Sequence, residues 1–152
     1  MHVSNGLTPD TLIRIADGTR TRADLLKVGD SVMTHQGRAR KVISAVTLNY
    51  SGDRFRIELA KSFFEVGPSC PVLAIVRGEA EPRWLRAANL RPGHIICAGL
   101  DKQIGKGFVL NDYASEVTAV HVDRVKNARL YAFDVEEDHT CLVGRAGAFI
   151  HN

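Results

Sequence analysis

Apolar positions along the chain fall in short runs separated by turn residues. Leu12-Ile13-Arg14-Ile15, followed by Ala16-Asp17-Gly18-Thr19, predicts a strand running into a hairpin, with Asp-Gly as the turn signal. Gly29 to Thr34, followed by His35-Gln36-Gly37, repeats the pattern. Lys41 to Val46 is β-branched and partly alternating. From Asp53 to Leu59 the alternation is regular: Phe55, Ile57 and Leu59 share one face, and Arg54, Arg56 and Glu58 the other. Further strands are predicted at Phe63–Val66, Val72–Val76, Ile95–Cys97, Glu116–Val125, Leu130–Val135 and Ala148–Ile150. Only Thr21–Leu26 and Leu85–Leu90 suit a turn of helix, too little for a helical core. Many short strands with turn signals between them predict an all-β fold.

One stretch is echoed. Ala23-Asp24-Leu25-Leu26-Lys27-Val28-Gly29-Asp30-Ser31-Val32 matches Ala87-Ala88-Asn89-Leu90-Arg91-Pro92-Gly93-His94-Ile95-Ile96 in its Ala, Leu, basic, Gly and β-branched positions. Two copies imply two related halves, since a solenoid needs at least three repeats. Gly99 to Tyr113 is polar and glycine-rich and reads as an exposed connection. Its Gly105-Lys106-Gly107 lacks the rest of a phosphate-cradling loop.

Length and charge narrow the field. The chain has 152 residues, one domain's worth, and a formal charge of +3 with both signs interspersed. That argues against a dedicated nucleic-acid binder, whose basic residues cluster on one face. No apolar run approaches a bilayer span, and MHVSNGLTPD does not resemble a secretory signal. Three cysteines, Cys70, Cys97 and Cys141, cannot all pair and show no CxxC spacing. A reduced, cytoplasmic setting without a metal or other cofactor is expected.

The reactive features lie at the two ends of the sequence. Asn152 follows His151. An asparagine side-chain amide can attack its own backbone carbonyl, forming a succinimide and breaking the peptide bond that follows. The step is slow unless a neighbouring group protonates the leaving amine and another activates the amide, roles that histidines can fill. His139 is expected to return toward His151 across a hairpin through Gly144-Arg145-Ala146-Gly147.

Five motifs, in order, carry a family resemblance over nearly the whole chain. They are Gly6–Ile13 with Asp17-Gly18 and Val28-Gly29-Asp30; Phe64–Leu73; Trp84–Gly93; Leu130–Thr140; and Ala148–Asn152. Together they resemble the inteins, the self-splicing members of the Hint (hedgehog/intein) superfamily. The resemblance implies a horseshoe-like all-β fold with pseudo-twofold related halves and adjacent ends. It implies a mini-intein without a homing endonuclease, with residues 1–5 as flank (extein or a cloning remnant) and 6–152 as the splicing domain. Its partners would be the flanking extein segments of its own precursor, with no nucleic acid or membrane, and the domain would be a monomer. Asn152, His151 and His139 would carry the C-terminal step, and Asn5–Gly6 would be the N-terminal junction.

Several positions depart from the family pattern. Members usually begin with Cys or Ser, where this chain has Gly6. The second motif usually reads Thr-x-x-His, where Gly67 and Cys70 stand. The penultimate motif usually has Asp or, in some classes, Cys at the place of Ala132. The usual Cys, Ser or Thr would follow Asn152. Either the N-terminal reaction has been lost, or an internal cysteine attacks the junction. Cys70 is the surviving candidate for that attack, with a buried core role as its alternative. Cys97 and Cys141 read as core, His35 as a solvated turn residue, His94 as a surface turn, His121 as an exposed strand residue and Trp84 as packing. The functional readings are protein splicing, C-terminal cleavage alone, or an inert β-rich binding module.

Overall fold

The computed structural model describes residues 6–98 and 116–151. The expected strands form, and the fold is all-β: 58% of the described residues are in strands or bridges, and among them there is no helix of seven residues or more. In chain order they are β1 (Leu12–Arg14), β2 (Arg20–Arg22), β3 (Ser31–Met33), β4 (Ala39–Leu59), β5 (Phe63–Val66), β6 (Pro71–Ile75), β7 (Arg83–Arg86), β8 (Ile95–Ile96), β9 (Val117–Val135), β10 (Thr140–Val143) and β11 (Ala148–His151). The two predicted helical turns are single 3-10 turns, Ala23–Leu25 and Ala87–Asn89.

The strands make two antiparallel sheets. One runs β2-β1-β10-β11-β6-β7, with β8 also on β6; the other runs β3-β4-β5, with β9 also on β4. The segments expected as separate strands at 41–46 and 53–59 are one strand of 21 residues, β4. Likewise 116–125 and 130–135 merge into the 19-residue β9. The turn-forming residues between them make bulges instead of breaks. The β4–β9 register shifts between Tyr50 and Gly52. Opposite, Asn127 takes the left-handed φ of 53° and donates its main-chain N–H to Ser51 Oγ at 3.0 Å. One extra residue is absorbed there without ending the ladder.

The echoed sequence is echoed in structure. Ala23 N–H bonds Thr11 O at 2.8 Å, and Ala87 N–H bonds Cys70 O at 2.9 Å. Asp24 N–H bonds Pro9 O at 3.1 Å, and Ala88 N–H bonds Pro68 O at 3.0 Å. Gly29 (φ 95°) donates to Val42 O, and Gly93 (φ 96°) to Val117 O, both at 2.9 Å. Both glycines hold the left-handed conformation that lets the chain leave the 3-10 turn for the next strand. The repeat also extends beyond the echoed residues. Thr8–Thr11 is matched by Gly67–Cys70, β1 and β2 by β6 and β7, and β10 by β11. The Leu7↔Val66 bridge lies on the approximate twofold. Thr8 N–H to Glu65 O and Gly67 N–H to Gly6 O flank it as equivalent bonds, at 3.5 and 2.9 Å.

The main core lies between the sheets and includes Leu7, Ile13, Val32, Ile57, Val66, Cys70, Val72, Leu90 and Ile150. A smaller cluster joins Leu73, Cys97, Leu142 and Phe149. Among the described residues, no helix is long and apolar enough to cross a membrane.

Candidate functional site

The N-terminal side is built from backbone. Leu7 exchanges two main-chain hydrogen bonds with Tyr131 of β9, both at 2.9 Å, and the Gly6 carbonyl accepts from Gly67 N–H. Gly6 is thereby fixed between β9 and the Gly67–Cys70 turn. A Cβ at Gly6 would stand 2.6 Å from Leu130 Cβ and 3.3 Å from Tyr131 N. Leu130 Cβ is tied to its own strand, so a side chain at residue 6 displaces backbone. Ala132, two residues along β9, is buried and pairs with Val46.

Cys70 sits on that same turn, its N–H bonded to Gly67 O at 3.3 Å. It is fully buried in the main core. Burial pushes its thiol well above the ordinary range, and neighbouring Cys141 adds to the shift. Only the thiolate is nucleophilic, so both features oppose the nucleophile reading of Cys70 and favour the core reading. Burial also holds Cys141 up at about 12 and Cys97 at about 11.

The C-terminal side is a cluster of rings. The β10–β11 hairpin turns at Gly144 and Gly147, both at φ 73°, and pairs Thr140 with His151. His139, immediately before β10, stacks on His151 with centroids 6.2 Å apart. His139 Nδ1 meets Asp134 Oδ1 at 2.9 Å. His139 itself adopts φ 55°, closing the tight turn after β9. Asp138 braces that turn from within: buried, it accepts from Thr34 Oγ1 and pairs with Arg38. The Arg38 guanidinium, helped by Thr34, holds its carboxyl down at about 2 against the cost of burial. Asn152 and Asn5 lie outside the described residues, as does the predicted connection at Gly99–Tyr113.

Three members of this cluster carried no site reading in the sequence. Asp134 is two residues along β9 from Ala132, where the resembled pattern has its Asp. Trp84 of β7 lies edge-on to His151, at 5.3 Å. His35 is half-buried rather than solvated, with Nδ1 2.7 Å from Thr140 Oγ1 and its ring 5.8 Å from Trp84. Turn residues 34–38 fold back on β10, a long-range contact with no local signature.

The two sides contact one stretch of chain, 67–72. Gly67 takes the Gly6 carbonyl, and Val72, just past Cys70, pairs with Ile150. A cleft of about 330 Å³ opens between the start of β1 and β5, lined by Thr8, Asp10, Phe63, Phe64, Glu65 and Arg145 among others. Among the described residues, no group of three or more His, Cys, Asp or Glu is placed to hold a metal ion.

No protein-family model matches the chain. Solved structures do. A bacterial intein-like domain from Clostridium thermocellum superposes with a TM-score of 0.74 at 15% identity, covering 97% of this chain and 99% of that one. An intein from a hyperthermophile gives 0.75 at 17% identity, with the same coverage of both chains. The TvoVMA intein gives 0.77 at 15% identity, covering 97% of each. This chain has the intein fold. Among curated proteins, iron–sulfur cluster assembly SufBD family proteins of Mycobacterium tuberculosis and Mycobacterium bovis are 26% identical over 175 residues. The match takes in 99% of this chain, which spans 19% of the length of those relatives. The likeness accounts for the all-β, antiparallel architecture. The size of the chain, 152 residues, suits a mini-intein.

Proposed function

We propose that this chain is an intein-type autoprocessing domain that cuts the peptide bond after Asn152 by asparagine cyclisation. The observation that carries the reading is the His139–His151 stack at the end of β11, with Asp134 bonded to His139. In the proposed step the Asn152 side-chain nitrogen attacks its own backbone carbonyl carbon. A five-membered succinimide forms, and the bond to the next residue breaks. Asp134 accepts from His139 Nδ1–H, which fixes the tautomer and leaves Nε2 free to take a proton from the side-chain amide. His151 polarises the carbonyl and gives a proton to the leaving amine. No cofactor enters this scheme.

The N-terminal acyl shift has no nucleophile at residue 6, and the close approach of Leu130 leaves no room for one in this arrangement. Cleavage at the C-terminal junction without ligation is therefore favoured over full splicing. The whole-chain match within much longer mycobacterial proteins supports a domain carried inside a host chain, with flanking segments as its partners.

A precursor with distinct flanks before residue 6 and after Asn152, followed by mass spectrometry, tests the reading. Release of the C-terminal flank alone is expected. A ligated flank product would show splicing, and an intact precursor would show an inert module.

A further inference from the structure

We propose that His35 is a positioning residue for the C-terminal cut, holding the last strand pair of the hairpin so that His151 stays in place before Asn152. The proposal rests on the cleavage reading above. Among the described residues, Thr140 and His151 form the last pair of β10 and β11. A terminal pair lacks the support of a next pair beyond it, and strand ends fray. His35 supports both members. Its main-chain N–H donates to Thr140 Oγ1 at 3.1 Å, and its ring Nδ1 meets the same oxygen at 2.7 Å. Thr140 is fully buried, so this hydroxyl has few other partners to turn to. On its other side the His35 ring abuts Trp84 and, at 6.3 Å, Phe149. Trp84 in turn abuts His151.

The same carboxylate locks both turns concerned. Asp138 accepts from Thr34, the residue before His35, and precedes His139 in the chain. The loop carrying His35 and the turn carrying His139 therefore move together. The charged groups facing His35 are Asp138 from the β9–β10 turn, Arg38 from its own turn and His151 from β11. Burial, with Arg38 and His151, lowers the His35 pKa from its ordinary value, against the opposing pull of Asp138. The ring is accordingly neutral at pH 7. Protonating it would put a positive charge against the His151 that is to act as an acid.

The test uses the whole chain fused to a reporter after Asn152. Cleavage rates are measured across pH for the wild type, His35→Ala, His35→Asn, Trp84→Ala and the His35→Ala/Trp84→Ala double variant, alongside thermal melting. His35→Ala should cleave about ten- to a hundred-fold more slowly, the scale expected when a reacting group is misplaced by about an ångström. Trp84→Ala should be slowed comparably, and the double variant should be no slower than the worse single, because both act through His151. His35→Asn keeps a hydrogen-bonding atom for Thr140 but cannot take up a proton. It should retain the wild-type melting temperature, cleave faster than His35→Ala, and shift the acid limb of the pH profile; it carries the test if His35→Ala does not fold. Folded His35 variants with wild-type rates and an unmoved acid limb overturn the proposal while leaving the cleavage reading intact. Additive losses in the double variant overturn the route through Trp84. A wild-type fusion that stays whole, or one cleaved equally well as Asn152→Ala, overturns both.

Discussion

At the residue scale, polar groups near the site are set by what surrounds them. Asp138 has its pKa lowered by Arg38 and Thr34, so its charged form favours the folded state. The stabilisation is complete above the unfolded value of about 3.9 and is lost as pH falls toward about 2. Acid titration followed by circular dichroism should show a stability loss in that window for the wild type. Asp138→Asn should be less stable at pH 7 and should lack that loss. The three cysteines present the opposite case. All are buried, and burial raises each thiol above its ordinary value. Native protein treated with iodoacetamide at pH 8 should be labelled far more slowly than unfolded protein, with Cys70 among the protected sites. Rapid native labelling of Cys70 would restore it as a nucleophile candidate. The sequence could not separate these cases, because a cysteine in an apolar run looks the same whether it is core or reactive. His35 and Asp134 were illegible for a related reason. Their partners, Thr140 and His139, are specified by tertiary folding rather than by the local pattern.

At the element scale, most strands were legible from alternation and Gly-centred turns. The Gly144–Gly147 hairpin brings His139 to His151 as its sequence predicts. Ser51-Gly52 and Asn127 have turn chemistry but lie at a bulge inside long paired strands. Pairing along the full length of β4 and β9 outweighs a local preference to turn. The N-terminal slot supports a sharper expectation. Gly6→Cys brings Cβ against Leu130 Cβ at 2.6 Å unless β9 shifts. It should cost about 1–3 kcal/mol by overpacking, measured by urea unfolding. It should also fail to release an N-terminal flank when a small thiol is added. Thiol-dependent release at undiminished stability would show that the slot accepts a side chain.

At the scale of the whole molecule, the approximate twofold arranges the strands around the candidate site. It pairs β1 with β6 and β10 with β11, and it sets the N-terminal segment beside the turn that leads into β6. β11 returns along β6, so Gly6 bonds Gly67 while Ile150 pairs with Val72, five residues further on. In the proposed reading, that proximity makes any transfer between the two junctions effectively intramolecular. The ten-residue echo announced the symmetry; its extension to Thr8–Thr11 and Gly67–Cys70 was hidden, because the equivalent backbone bonds there are made by residues with different side chains.

In the proposed reaction Asn152 cyclises with His139 and His151 as its acid–base pair. The most direct measurement is mass analysis of the domain released from a fusion extended past Asn152, in the wild type and in Asn152→Ala. The wild type should yield a domain ending in succinimide, 18 Da lighter than its hydrolysed form, and Asn152→Ala should remain uncut. Cleavage of the Asn152→Ala fusion at the wild-type rate, or a wild-type fusion that never cuts, would contradict the account.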